Sequence, residues 1–118
     1  MHRLYLRKLL IKIFLTKGTI EMDNIFKALS DPTRRKILEL LRENDLSAGE
    51  IFDQFDMTKP AISQHLNALK KAELVYNFKF KQFVFYSLNV TMMEDVMVWA
   101  FGFSGAKEEE KVEYELTS

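Results

Sequence analysis

The stretch "MTKPAISQHLNALKKAE", residues 57–73, decides the reading of this chain. Ile62, Leu66 and Leu69 recur at the spacing that lines one face of a helix. The opposite face holds nothing apolar larger than alanine; it carries Ser63, Gln64, Asn67 and Lys71, with Lys59 and Lys70 on one flank. Thr58 is the expected N-cap. Pro60 then falls at the second helical position, where its missing N–H has no intrahelical acceptor anyway, so the proline marks a helix start. The pattern predicts a helix over 58–71 with its apolar side buried and a polar side left to recognise something.

Three helices are expected before it. "DNIFKALS" places Ile25, Phe26 and Leu29 on one side. In "SDPTRRKILELLREN", Asp31 is a ready N-cap, Pro32 the first helical residue, and Ile37, Leu38 and Leu41 the apolar stripe. "SAGEIFDQF", 47–55, opens on Ser47 and Glu50 at capping-box spacing and is expected to bury Ile51, Phe52 and Phe55. After the polar helix, "LVYNFKF" and "QFVFYSL" are rich in aromatic and β-branched residues and read as a hairpin around Lys81. "NVTMMEDVMVWAFGF" restores helical spacing in two apolar rows, Met92, Val96, Trp99, Phe103 and Met93, Met97, Ala100, Phe101. Two rows exceed what a small core needs, so part of this helix is expected to be covered by a second copy of the chain.

The order of elements is mostly α with a small β-hairpin: a winged helix-turn-helix with an added terminal helix, in which 47–55 and 58–71 form the helix-turn-helix pair. The domain is expected over 23–103. Residues 1–22 form a basic extension, with Arg3, Arg7, Lys8, Lys12 and Lys17 against Glu21 alone. Within it "LYLRKLLIKIFL" has the character of a basic amphipathic helix suited to a membrane surface or a partner groove. A Lys-Gly pair shortly before Met22 is encoded by purine-rich codons of the ribosome-binding type, so Met22 is the expected native start and residues 1–21 translated leader. Residues 104–118 form an acidic tail.

Bulk properties exclude several function classes. The 118 residues carry 47 % hydrophobic residues and a formal net charge of zero, with charges segregated along the chain. There is no cysteine, so disulfides, thiolate nucleophiles and thiol sensing are excluded. The longest apolar run, "LLIKIFL", is broken by Lys12 and falls far short of the roughly 20 residues of a membrane helix. No glycine-rich phosphate loop or catalytic constellation surrounds His65, so an enzyme is not expected. Without a signal peptide or membrane span, a cytoplasmic location is expected.

"FKALSDPTRRKILELL", "KPAISQHLNALKKAE" and "FYSLN", in that order, resemble the ArsR-type family of small winged-helix transcriptional repressors, and within it the SdpR-type autorepressors that lack a metal site. The resemblance implies a homodimer through the first and last helices, with Ile25, Phe26, Met92, Val96, Trp99 and Phe103 at the interface. It also implies two recognition helices in successive major grooves of double-stranded DNA, about 34 Å apart. Many members sense metals through a Cys-x-Cys pair; here those positions are Ser47 and Gly49, and the last helix has no histidine, so no metal or other cofactor is expected.

On this reading, Lys59, Ser63, Gln64 and Asn67 are the candidates for base edges, Gln64 and Asn67 through bidentate contact to adenine, Lys59 to guanine. Thr58 and His65 are secondary candidates, and a packed histidine is an equal alternative for His65. Arg35, Lys36, Lys70, Lys71, Lys79 and Lys81 are candidates for phosphates; of Arg34 and Arg35, one is open to a structural ion pair instead. Members usually carry glycine where Lys81 stands, so this wing must turn without it. The function implied is a sequence-specific repressor, acting on its own promoter and released by a sequestering protein or a change in level. The alternative is a winged-helix protein-interaction module that has lost DNA binding.

Overall fold

The computed structural model describes Leu6 and residues 22–104. The basic extension, Leu6 and Met22 apart, and the acidic tail beyond Ser104 lie outside the described residues. The described residues divide between two compact units, 22–92 in one and 93–104 in the other. In the first, α1 (Met22–Leu29) and α2 (Pro32–Glu43) precede β1 (Leu46–Ser47) and the short α3 (Ala48–Phe52). Then come α4 (Lys59–Lys71), β2 (Val75–Phe80) and β3 (Phe83–Leu88); α5 (Val90–Phe101) begins in the first unit and runs into the second.

Caps set the helix starts where the sequence places them. Asp31 accepts from the N–H groups of Thr33 at 2.8 Å and Arg34 at 3.2 Å, ahead of Pro32. Ser47 and Glu50 form the reciprocal capping box, each side chain bonding the other's backbone N–H at 3.1 and 3.0 Å. Thr58 accepts from Ala61 N–H at 3.3 Å. The helix expected over 47–55 is regular only to Phe52; the N–H groups of Gln54 and Phe55 bond to Ile51 and Phe52, so the winding tightens into three-residue turns. Of its three apolar residues only Ile51 is buried, while Phe52 and Phe55 stay half-exposed because five helical residues cover too little surface.

The core gathers Ile25 and Ala28 of α1, Ile37, Leu38 and Leu41 of α2, Ile51 of α3, and Ile62, Leu66 and Leu69 of α4, closed by Leu74 and Val75. Each buried isoleucine, leucine or valine among them contributes about 1.5–3 kcal/mol by leaving water. A third strand joins the hairpin, giving the antiparallel order β1-β3-β2 with Leu46 opposite Tyr86 and Ser47 opposite Phe85. Two residues are too short to show a strand's alternation in sequence. The hairpin runs from Val75 opposite Leu88 to Phe80 opposite Phe83, leaving Lys81 and Gln82 as the turn. Lys81 takes the left-handed conformation (φ 57°) usually given to glycine.

Candidate nucleic-acid interface

α4 is held by its buried row and leaves Gln64, Asn67 and Lys71 exposed opposite it, at i, i+3 and i+7. Lys59 is exposed and its ammonium lies 5.9 Å from the centre of the Phe52 ring, leaning toward α3. Ser63 is half-buried on the same flank, and Lys70 and Lys71 occupy the last turn, where they also complement the helix dipole. The Thr58 hydroxyl caps the helix.

His65 sits on the other flank and is turned inward, its side chain 17 % exposed. Its Nδ1 is 3.4 Å from Nη1 of Arg34 and 3.9 Å from the Asp31 carboxylate. Burial alone would raise the Asp31 carboxyl, but the backbone N–H groups of Arg34 and Thr33, with the His65 and Arg34 charges, outweigh it and hold Asp31 below the ordinary carboxylate value.

Among the described residues neither arginine forms the ion pair with a carboxylate that one of them was open to; both turn back to the end of α1. Arg34 donates from Nε to Ala28 O at 3.0 Å and from Nη2 to Lys27 O at 2.8 Å. Arg35 donates from Nη1 to Leu29 O at 2.8 Å. Three carbonyls at the end of α1 thereby accept from cations, that of Lys27 alongside the N–H and hydroxyl of Ser30. Arg35 remains at the surface with part of its guanidinium committed. Lys36 is exposed and lies 3.9 Å from Glu39.

In the wing, Lys79 and Lys81 are exposed, and the Lys81 ammonium lies 5.5 Å from the centre of the Phe80 ring. The register puts Tyr76, Phe78 and Phe80 on one face with Phe83 and Phe85, while Asn77 and Lys79 take the other. Phe78 and Phe85 stack at 5.7 Å, and Phe80 meets Phe85 edge-on at 6.3 Å.

Among the expected interface residues, Ile25 is 1 % exposed and belongs to the chain's own core, whereas its neighbour Phe26 is 46 % exposed. Helical spacing shows which residues share a face, but adjacent residues at its border divide between core and surface only on packing. Met92, Val96 and Trp99 are half-buried, and Phe103 is exposed with its ring edge-on to Trp99 at 4.9 Å. None of the residues of α5 is buried, apolar as the helix is.

Asn89 and Glu73 were not among the sequence candidates. The Asn89 carboxamide donates to Glu73 O at 2.8 Å and accepts from Met92 N–H at 3.2 Å. An asparagine directly before a helical run is an N-cap signature, which is the signal the sequence offered.

Ser47 spends its hydroxyl on the capping box, and Gly49 has no side chain, so these two positions cannot supply the thiolate pair of a metal-sensing relative. Among the described residues, no group of three or more His, Asp or Glu stands close enough to hold a metal, and no helix is long and apolar enough to cross a membrane.

A short helix, a turn and a second helix with an exposed polar row, followed by a basic hairpin, define a winged helix-turn-helix of the DNA-binding class. Residues 31–77 match the bacterial regulatory proteins of the arsR family. Over 82 residues the chain is 51 % identical to the transcriptional repressor SdpR of Bacillus subtilis, spanning 70 % of this chain and 91 % of that protein. It is 34 % identical over 77 residues to the arsenical resistance operon repressor of Staphylococcus aureus, spanning 65 % of this chain and 74 % of that one. Among solved structures, an ArsR-like transcriptional regulator from Rhodococcus superposes with a TM-score of 0.66 at 26 % identity, over 86 % of this chain and 93 % of that chain. The chain belongs to the ArsR family of transcription regulators and is not an enzyme.

Proposed function

We propose that the chain is a sequence-specific repressor that binds operator DNA as a homodimer, works without a metal cofactor in the cytoplasm, and acts on its own promoter. The observation that carries this reading is the exposed row Gln64, Asn67 and Lys71 on a helix whose other side is locked into the core. Amide side chains on a rigid helix suit base edges in a major groove about 12 Å wide. The repressor named among the similar proteins supports repression as the outcome. Support for the dimer comes from α5, an apolar helix with Met97 67 % exposed and nothing buried, together with exposed Phe26 on α1.

The test is selection of duplexes from a random pool, alongside footprinting on DNA upstream of the chain's own coding sequence. Two protected half-sites about one helical turn apart, with two chains per duplex, are the expected result. A chain that enriches no sequence and loses all affinity at moderate salt overturns the reading.

One observation favours a second reading, a module that docks on protein. The wing presents an aromatic face, with Tyr76, Phe78, Phe80 and Phe83 all exposed. An exposed cluster of aromatic rings, Phe78 stacked on Phe85 among them, suits an apolar surface of a sequestering partner. A Phe78→Ser, Phe80→Ser chain that keeps its DNA affinity but is no longer released from its promoter in cells favours this partner. Loss of DNA affinity in the same variant assigns the face to DNA instead.

A further inference from the structure

α4 ends in a Schellman motif built without glycine. Leu74 N–H bonds back to Leu69 O at 3.0 Å and Glu73 N–H to Lys70 O at 2.9 Å, with Leu69 and Leu74 both fully buried. The motif needs a left-handed residue after the helix, and that residue is Glu73, at φ 60°. A side chain with a Cβ is strained there, so something outside the turn has to hold it.

Asn89 is that group. Its side-chain Nδ2 donates to Glu73 O at 2.8 Å, and its backbone N–H donates to Leu74 O at 2.9 Å. The two bonds fix consecutive carbonyls in the link between the last turn of α4, which carries Lys70 and Lys71, and Val75 at the root of the wing. The remaining atom of the carboxamide, Oδ1, caps the first turn of α5 through Met92 N–H.

We propose that Asn89 is a positioning residue for DNA reading, holding the end of the recognition helix and the root of the wing in one geometry through the left-handed turn at Glu73. It touches no base or phosphate on this account. The inference rests on α4 being the reading helix. Base readout needs amide groups placed within hydrogen-bond tolerance, whereas phosphate attraction tolerates displacement, so disturbing the turn lowers specific binding selectively.

Asn89→Asp separates the two roles of the carboxamide. It keeps an acceptor for Met92 N–H, where an acid also suits the helix N-terminus, but sets a carboxylate oxygen against Glu73 O. With a duplex selected by the wild-type chain, the expected result is an affinity about tenfold lower. Affinity for a scrambled duplex stays within about twofold, and the melting temperature moves by only a few degrees. Adding Glu73→Gly, which adopts the left-handed conformation unaided, is expected to restore specific affinity. Adding Glu73→Ala removes the neighbouring charge without relieving the conformation and is expected to restore nothing.

Three outcomes overturn the proposal: Asn89→Asp binding the selected duplex as wild type does, an equal loss on both duplexes with a fall in melting temperature, or rescue by alanine as complete as by glycine. A wild-type chain that selects no duplex overturns the parent reading and this proposal with it.

Discussion

The guanidinium of Arg34 and the imidazole of His65 meet at 3.4 Å, Nη1 to Nδ1, and join the start of α2 to the middle of α4. Arginine only donates, so the contact is a hydrogen bond in the tautomer whose Nδ1 is unprotonated. The same guanidinium donates to the carbonyls of Lys27 and Ala28, so three helices meet on one side chain. Replacing it by lysine keeps the charge but not the planar fork. Arg34→Lys is therefore expected to lose about 2 kcal/mol of stability in urea unfolding, close to the loss in Arg34→Ala. A lysine variant as stable as wild type would show that charge at the end of α1 is enough.

The Asp31 carboxylate sits beside that joint and caps α2. Its pKa in the folded chain is depressed, so it contributes stability that is fully present above the unfolded value of about 4 and is lost as pH falls through the folded value. Asp31→Asn keeps a capping oxygen but does not titrate. Its stability is expected to fall less steeply than wild type as pH drops below about 4, with Asp31→Ala weaker by about 1 kcal/mol at neutral pH. Glu50 is depressed in the same sense by the backbone N–H and then the hydroxyl of Ser47, so the asparagine variant flattens only part of the acid slope. Parallel curves for wild type and Asp31→Asn in urea unfolding across pH would remove Asp31 from the account.

Much of the fold was legible because its signals are local. Asp31, Ser47 and Thr58 announce helix starts through their own side chains, and Ile62, Leu66 and Leu69 announce a buried face by spacing alone. What was not legible depends on partners distant in sequence. β1 exists because Leu46 and Ser47 find Tyr86 and Phe85, about 40 residues on, and two residues carry no period. The arginines of α2 were read as phosphate ligands or ion-pair partners because nothing in a basic tripeptide says that carbonyls of the preceding helix will claim it. Glu73 was hidden for a related reason: the sequence rule for a helix end looks for glycine, and here Asn89 supplies from outside the turn what glycine supplies from within.

α5 offers the test of the dimer. Met97 is exposed on a helix that buries nothing, so a charge there leaves the core of 22–92 intact. Met97→Glu is expected to shift sedimentation from dimer to monomer without changing the melting of that core. Its affinity for a duplex with two half-sites is expected to fall far more than for one half-site, since tethering of the second recognition helix is lost. A Met97→Glu chain that remains dimeric would move the interface off this row.

Gln64 and Lys71 lie on one exposed row of α4, yet they are expected to fail differently. Gln64 has the amide geometry for adenine N6 and N7, so Gln64→Ala is expected to cost about 1–3 kcal/mol on the selected duplex, relax the preference at one base pair, and leave scrambled DNA nearly unaffected. Lys71 carries a point charge at the helix end, which suits a phosphate and reads no sequence. Lys71→Ala is expected to weaken every duplex alike and to reduce the slope of log K against log salt by about one. Titrations at several salt concentrations on both duplexes separate the two. Equal losses for Gln64→Ala on selected and scrambled DNA would argue against base readout, and an unchanged slope for Lys71→Ala would take that lysine off the backbone.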